Sequence, residues 1–335
     1  MSNSVSLSVI VPIYNVQKFI NQCIDSIINQ TKKDIEFIFI DDGSPDDCGK
    51  IIDEYAKKDT RIIAVHQKNS GYGHALNKGI HMAHGEYIGI IESDDWIEND
   101  MYEKLYDAAK IYNADIARCG FYIYNSQESN GEMNTVWNEV EDMFHEMPDG
   151  PFCPRDYKKI FMYHSALWTY IYKSDLIKST LFNEKSRSYQ DYPFIFEVLA
   201  KAKSMVIVKE FLHHYRMEQG QGSSSTTKSI KSMQMFDMTT FAFNRLAKEN
   251  LLKGIEKEFF QHSVLANKYF YRQTPEENQK EYASKAKDFF EENISVDVFE
   301  NMDDDSKSWL REIGILKPTH LGLVNRLMRY FKNGK

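Results

Sequence analysis

Four short apolar runs, each ending in polar residues and alternating with helical periodicity, fill the first hundred positions and leave few folds open. The runs are Leu7–Val11, Ile35–Ile40, Ile62–Val65 and Tyr87–Ile91. Strand-length runs alternating with helical patterns predict βαβ units and a mostly parallel sheet. Between the first two, Val16, Phe19, Ile20, Cys23, Ile24, Ile27 and Ile28 recur at helical spacing, with Asn15 placed to cap that helix. Ser44-Pro45-Asp46-Asp47 predicts a second helix, with a proline at its first position, running to about Lys58 and burying Ile51, Ile52 and Tyr55. Ligands of open α/β sheets bind beyond the carboxyl ends of the strands. Those ends are Pro12-Ile13-Tyr14-Asn15, Asp41-Asp42-Gly43-Ser44, Asn69-Ser70-Gly71-Tyr72-Gly73 and Glu92-Ser93-Asp94-Asp95, so four polar loops converge on one edge.

The 335 residues are 42% hydrophobic and 27% charged, which excludes a disordered or low-complexity chain. A net charge of −8 gives no global field to attract nucleic acid. Cys23, Cys48, Cys119 and Cys153 are too widely spaced for a CxxC pair or a zinc pattern, in keeping with a reducing cytoplasm. No leader pattern opens the chain, and no apolar run approaches the roughly 18 to 20 residues that span a bilayer. Strand signals nearly vanish after Lys228. The pattern of Met233, Phe236, Thr240 and Phe243, and of Phe259, Val264 and Tyr269, predicts helices. The expected organisation is an α/β domain over 1–226, with halves of about 1–110 and 111–226, followed by a helical module over 227–335.

Three carboxylates in Glu92-Ser93-Asp94-Asp95 repel one another unless a cation sits among them, and hard divalent ions favour oxygen ligands combined with substrate phosphates. The alternative is an acidic helix start near Trp96. Asp41 and Asp42 can accept an imide N–H from a uracil ring or close an Asx turn. Gly71-Tyr72-Gly73 follows the third strand and lacks the third glycine of a dinucleotide fingerprint; plain turn geometry is its other reading. Asp191, in aromatic surroundings, suits a base of raised pKa or a helix cap.

The runs VSLSVIVPIYNVQKFINQCIDSIINQT, IEFIFIDDGSPDD, NSGYGHALNKGI and GEYIGIIESDD resemble the nucleotide-sugar-binding half of family 2 glycosyltransferases of the GT-A fold. The likeness is close over about residues 5 to 110 and looser to about residue 225, through SYQDYPF and HHYRMEQGQGSSS. The resemblance implies an inverting, metal-dependent transferase using a UDP-linked sugar. Its donor-binding residues would be Pro12, Tyr14, Asn15, Asp41, Asp42, Asn69, Gly71, Asn77, Glu92, Ser93, Asp94 and Arg216. Mn2+ or Mg2+ would sit on Asp94, with Asp95 and His214 completing the shell, and Asp191 would be the general base. Glu92 stands where the family commonly has Asp, and Gln190 where it more often has Glu. Leu76 replaces a frequent arginine, so Lys78 or Arg216 is the expected substitute near the diphosphate.

Trp168 and Gln190 are the expected acceptor contacts, Trp168 as an apolar platform. The acceptor implied is a surface glycan, lipid-linked or not. Gln219–Ser225 reads as a closing loop. The tail Lys317–Lys335 carries Lys317, Arg326, Arg329, Lys332 and Lys335 without an acid, a pattern that fits an anionic membrane face or a helix packed on its own domain. Peripheral attachment on the cytoplasmic face follows from the first of these. The other readings are a sugar-phosphate nucleotidyltransferase, which would need a basic glycine-rich loop after the first strand, and a non-catalytic binding partner.

Overall fold

The computed structural model describes residues 5–125, 133–135, 144–163, 166–217 and 229–316. The closing loop read over Gln219–Ser225 and the basic tail Lys317–Lys335 lie outside them. The chain forms two compact units, one of 1–157, 163–187 and 201–224, the other of 158–162, 188–200 and 225–335. The segment Ser188–Ala200 thus belongs with the helical module.

The first unit is built on β1 (Leu7–Ile13), β2 (Ile35–Asp41), β3 (Ile62–His66), β4 (Tyr87–Ile90), β5 (Trp96–Ile97), β6 (Ile116–Asn125), β7 (Met133–Thr135), β8 (Tyr170–Lys173) and β9 (Met205–Met217). The sheet order is β3-β2-β1-β4-β8-β6-β9-β5, with β7 on β6. Strands β3, β2, β1 and β4 run parallel, Val9 facing Phe37 and Ile10 facing Ile90. Strands β1 and β2 are buried along their whole length, as parallel strands covered on both faces must be. Leu7, Val9, Val11 and Ile13 share a core with α1 (Ile20–Ile28), α2 (Cys48–Ala56) and α4 (Met101–Tyr112). Ile10 points the other way, against Gly79 of α3 (Tyr72–Met82), where an added Cβ would lie 2.5 Å from the Ile10 side chain. Chain order reverses between β1 and β4, and the crevice of an open α/β sheet lies beyond such a switch point.

Two helix starts differ from expectation. Asn15 does not cap α1: it takes a left-handed φ of 57°, and the helix begins only at Ile20. Pro45 does not open α2, which begins at Cys48, because Asp41 Oδ1 and Asp46 Oδ1 accept the N–H groups of Ser44 and Cys48 in local turns.

The second unit packs helices Asp191–Lys201, Gln234–Lys248, Glu256–Arg272, Glu276–Asn293, Val296–Glu300 and Asp304–Glu312. Helix Gln234–Lys248 buries Met235, Met238, Thr239, Ala242 and Leu246, a face adjacent to the one expected. Phe236 and Phe243 flank it, edge-on to Phe289. Phe259 and Val264 are core, whereas Tyr269 is exposed.

Candidate active site

The loops beyond β1 and β2 are stitched together. Pro12 is buried inside β1, while Tyr14 and Asn15 are exposed beyond it. Asn15 N–H donates to Ser44 Oγ at 3.3 Å, and Gln17 N–H to Asp46 Oδ2 at 3.0 Å. Asp41 Oδ2 meets His66 Nδ1 at 3.0 Å, and His66 Nε2 reaches Asp53 Oδ1 at 3.0 Å. Asp41 and then Asp53, bonded to its two nitrogens, raise the His66 pKa above its ordinary value.

Asp42 builds the third loop. Its Oδ1 accepts from Gln67 Nε2 and Ser70 N–H, and its Oδ2 from Gly71 N–H, each at 2.8 Å. Gly71, at φ 98°, turns the chain into α3. Asn69 Oδ1 accepts from Arg187 Nη1 at 3.1 Å, and the Arg187 guanidinium fills the space beside Gly71. Asn77 does not face this loop. It is buried, exchanging hydrogen bonds with both backbone groups of Phe182 at 3.0 and 2.8 Å and donating to Glu184 Oε1 at 2.7 Å. Its place is structural, because an inward-facing amide on α3 must find partners.

The acidic loop after β4 is braced from β9. Tyr72 Oη donates to the Glu92 carboxylate, and Ser93 is buried. Asp95 is buried, its Oδ1 accepting from Arg216 N–H at 2.8 Å and its Oδ2 meeting His213 Nε2 at 2.9 Å. Burial pushes the Asp95 carboxyl up and the His213 imidazole down, because desolvation disfavours the charged form of each. Arg216 Nε donates to Asp94 O at 2.8 Å and Nη2 to Gln22 Oε1 at 2.5 Å, while its guanidinium lies over Phe19, Trp96 and Tyr124. Arg216 is therefore a brace under the acidic loop. Asp94 remains half-buried, its carboxyl pushed up to about 7 by burial and then by Asp95 beside it.

Strand alternation separates the two histidines. His214 lies between Trp96 and Tyr122, at ring distances of 4.9 and 5.2 Å, and its Nε2 bonds Glu98 Oε1 at 2.8 Å, away from Asp94. His213 is the one that meets the acidic loop, and the expectation for His214 is corrected accordingly. Trp168 is no open platform either: it is buried, stacked on His213 at 4.1 Å and Tyr215 at 5.2 Å, edge-on to Phe121.

Among the described residues no three His, Cys, Asp or Glu side chains form a metal-holding cluster. Asp95 is committed to His213 and Arg216. The donor set therefore fits a divalent ion held by the desolvated Asp94 carboxylate together with phosphate oxygens of a ligand, and does not fit a cage made by protein alone.

In the second unit Asp191 opens helix Asp191–Lys201, and burial pushes its carboxyl up to about 6 against the opposing pull of the Tyr192 N–H. Gln190 before it is buried. The residues the sequence reading missed are His66, Arg187 and His213. Only a count along β9 from a known buried position would have singled out His213, and nothing local marks Arg187.

The fold is similar to that in the crystal structure of S. aureus TarS 1-349 in complex with UDP-GlcNAc, with a TM-score of 0.71 at 19% identity over 92% of this chain and 88% of that one. The fold is thus the GT-A architecture. Residues 8–171 match the family model "Glycosyl transferase family 2". GlyG, a glycosyltransferase of Streptococcus pneumoniae serotype 4, is 33% identical over 64% of this chain and 71% of its own length. The chain belongs to glycosyl transferase family 2. EpsJ of Bacillus subtilis, an uncharacterized glycosyltransferase, is 36% identical over 63% of this chain, and the match spans 60% of that relative.

Proposed function

We propose that the protein is an inverting glycosyltransferase that moves a sugar from a UDP-linked donor to a hydroxyl of a surface-glycan acceptor. The observation that carries this is the convergence of Asp41, the loop folded on Asp42, and Asp94 at the β1/β4 switch point of a family 2 fold. The UDP-GlcNAc complex of TarS supports the choice of nucleotide. Asp41 has acceptor capacity left for the imide of a uracil, with Tyr14 and Asn15 exposed on the neighbouring loop. Asp94 is the residue to hold Mn2+ or Mg2+, and a bound divalent ion supplies charge neutralisation for the departing diphosphate. Arg187, next to Asn69 and Gly71, adds positive charge on the same unit and takes the place expected of Lys78 or Arg216.

Asp191 is assigned the base. With its pKa near 6 it is ionised at neutral pH and basic enough to take the proton of an acceptor hydroxyl attacking C1 from the face opposite the diphosphate. One displacement inverts the anomeric centre. Among the described residues no helix is long and apolar enough to cross a membrane. The basic tail is assigned to peripheral contact with an anionic cytoplasmic membrane face.

Thermal unfolding with UDP, GDP, CMP or NAD, each with and without Mn2+, tests the reading. A Mn2+-dependent rise with UDP that disappears in Asp94→Asn is expected. A rise with NAD, or with no nucleotide, overturns it.

A further inference from the structure

The short segment that carries Asp191 is gripped on both sides by the helical module. Two residues before it, Tyr189 has a left-handed φ of 60°, a conformation unfavourable for a non-glycine residue that persists only where the surroundings hold it. Its ring packs on Phe270 of helix Glu256–Arg272, at 4.3 Å between centroids. Burial pushes the Tyr189 phenol up to about 12, with Tyr269 and Asp191 adding to the shift, which agrees with a ring lying beside the carboxyl.

One residue after Asp191, the buried Tyr192 stacks on His262 at 5.3 Å, and its Oη lies 2.6 Å from Ser263 Oγ. Ser263 also donates to Phe259 O at 2.6 Å. A turn further along the same helix, Asn267 donates to Thr239 Oγ1 and accepts from Tyr282 Oη, at 2.8 and 2.7 Å. The grip therefore reaches three helices of the module through buried, satisfied polar groups, an arrangement that specifies one geometry. Farther along helix Asp191–Lys201, the buried Glu197 pairs with Arg245 of helix Gln234–Lys248 at 2.6 Å.

We propose that Tyr189 and Tyr192 are positioning residues that fix the Asp191 carboxyl, and that the helical module is the frame to which they tie it. The inference rests on the assignment of Asp191 as base. A base acts only at hydrogen-bond distance from its proton, so a displacement of about 1 Å costs up to about a hundredfold in rate. Tyr189→Asn keeps a residue that tolerates the left-handed backbone and removes the ring. Tyr189→Phe keeps the ring, and Tyr192→Phe removes only the hydroxyl.

The assay follows UDP release from UDP-glucose, UDP-galactose or UDP-N-acetylglucosamine in the full chain, alongside amide hydrogen exchange over residues 189–195. In Tyr189→Asn and Tyr192→Phe, kcat should fall about tenfold or more with the donor KM nearly unchanged, and exchange should quicken in the first turn of the helix alone; Tyr189→Phe should match the parent. Unchanged kcat and unchanged exchange in both variants overturn the inference. So does a rise in donor KM that parallels the loss of kcat, which marks general loosening. Asp191→Asn separates the two levels: full activity there removes the base itself, whereas an inactive Asp191→Asn beside fully active Tyr189→Asn and Tyr192→Phe removes only the positioning role.

Discussion

Asp42 accepts three hydrogen bonds and is buried, so its side chain is the scaffold of the 69–71 loop, while its neighbour Asp41 keeps acceptor capacity for a ligand. Adjacent acids of the same type thus do different work because one points at a loop and the other at a histidine. Gly43 makes room for that loop: at φ 70°, a Cβ there would approach Asn69 N to 2.8 Å. Gly43→Ala should cost about 1–3 kcal/mol and raise the donor KM, read by denaturant unfolding and initial rates; an unaltered chain would mean the loop has slack.

His66 makes a second residue-scale prediction. Its folded pKa is raised, so the stability it contributes is complete below its unfolded value of about 6.5 and is lost as pH rises through the folded value. The difference in melting temperature between the parent and His66→Gln should shrink from pH 5.5 to pH 8. Burial raises the Asp191 pKa to about 6, so the proposed role as base predicts that kcat climbs as pH rises through about 6 and then levels off. In Asp191→Asn the rate should drop by about 10²-fold or more, with no remaining acid limb.

At the scale of elements, β9 does more to shape the site than any single loop. Alternation along it sends His213 and Tyr215 under Trp168, and His214 and Arg216 toward Trp96. One strand therefore braces the acidic loop from two directions, through Asp95 and through the Asp94 carbonyl. Arg216→Lys keeps the charge but loses the planar fork and the stacking on aromatic rings. It should lower stability by about 1–3 kcal/mol in chemical denaturation and blunt the UDP-induced shift. If the melting curve does not move, Arg216 is not the brace described.

At the scale of the whole molecule, donor binding and stability are linked. With UDP and Mn2+ at about a hundred times the Kd, the native state should gain about 2.7 kcal/mol, and EDTA should abolish the gain. A gain that survives EDTA would detach Asp94 from any metal. Much of this was legible beforehand, because it is periodic or local: β1 to β4 and the core face of α1 follow from apolar spacing, and the four polar loops follow from strand ends. Helix starts were misplaced where Asp41, Asp46 and Asn15 turned toward local backbone partners instead of capping. The chain alone determined which strands are buried and which residue types gather at their ends, since both depend on side-chain character within a few positions. Only the tertiary structure decided that His213 and not His214 meets the acidic loop, that Trp168 is packed away, that Arg187 stands beside Gly71, and that Asp191 is held by helices some 70 residues further on. Those outcomes depend on which segments are brought into contact across long stretches of chain, and pairwise contact leaves no period or spacing in the sequence to read.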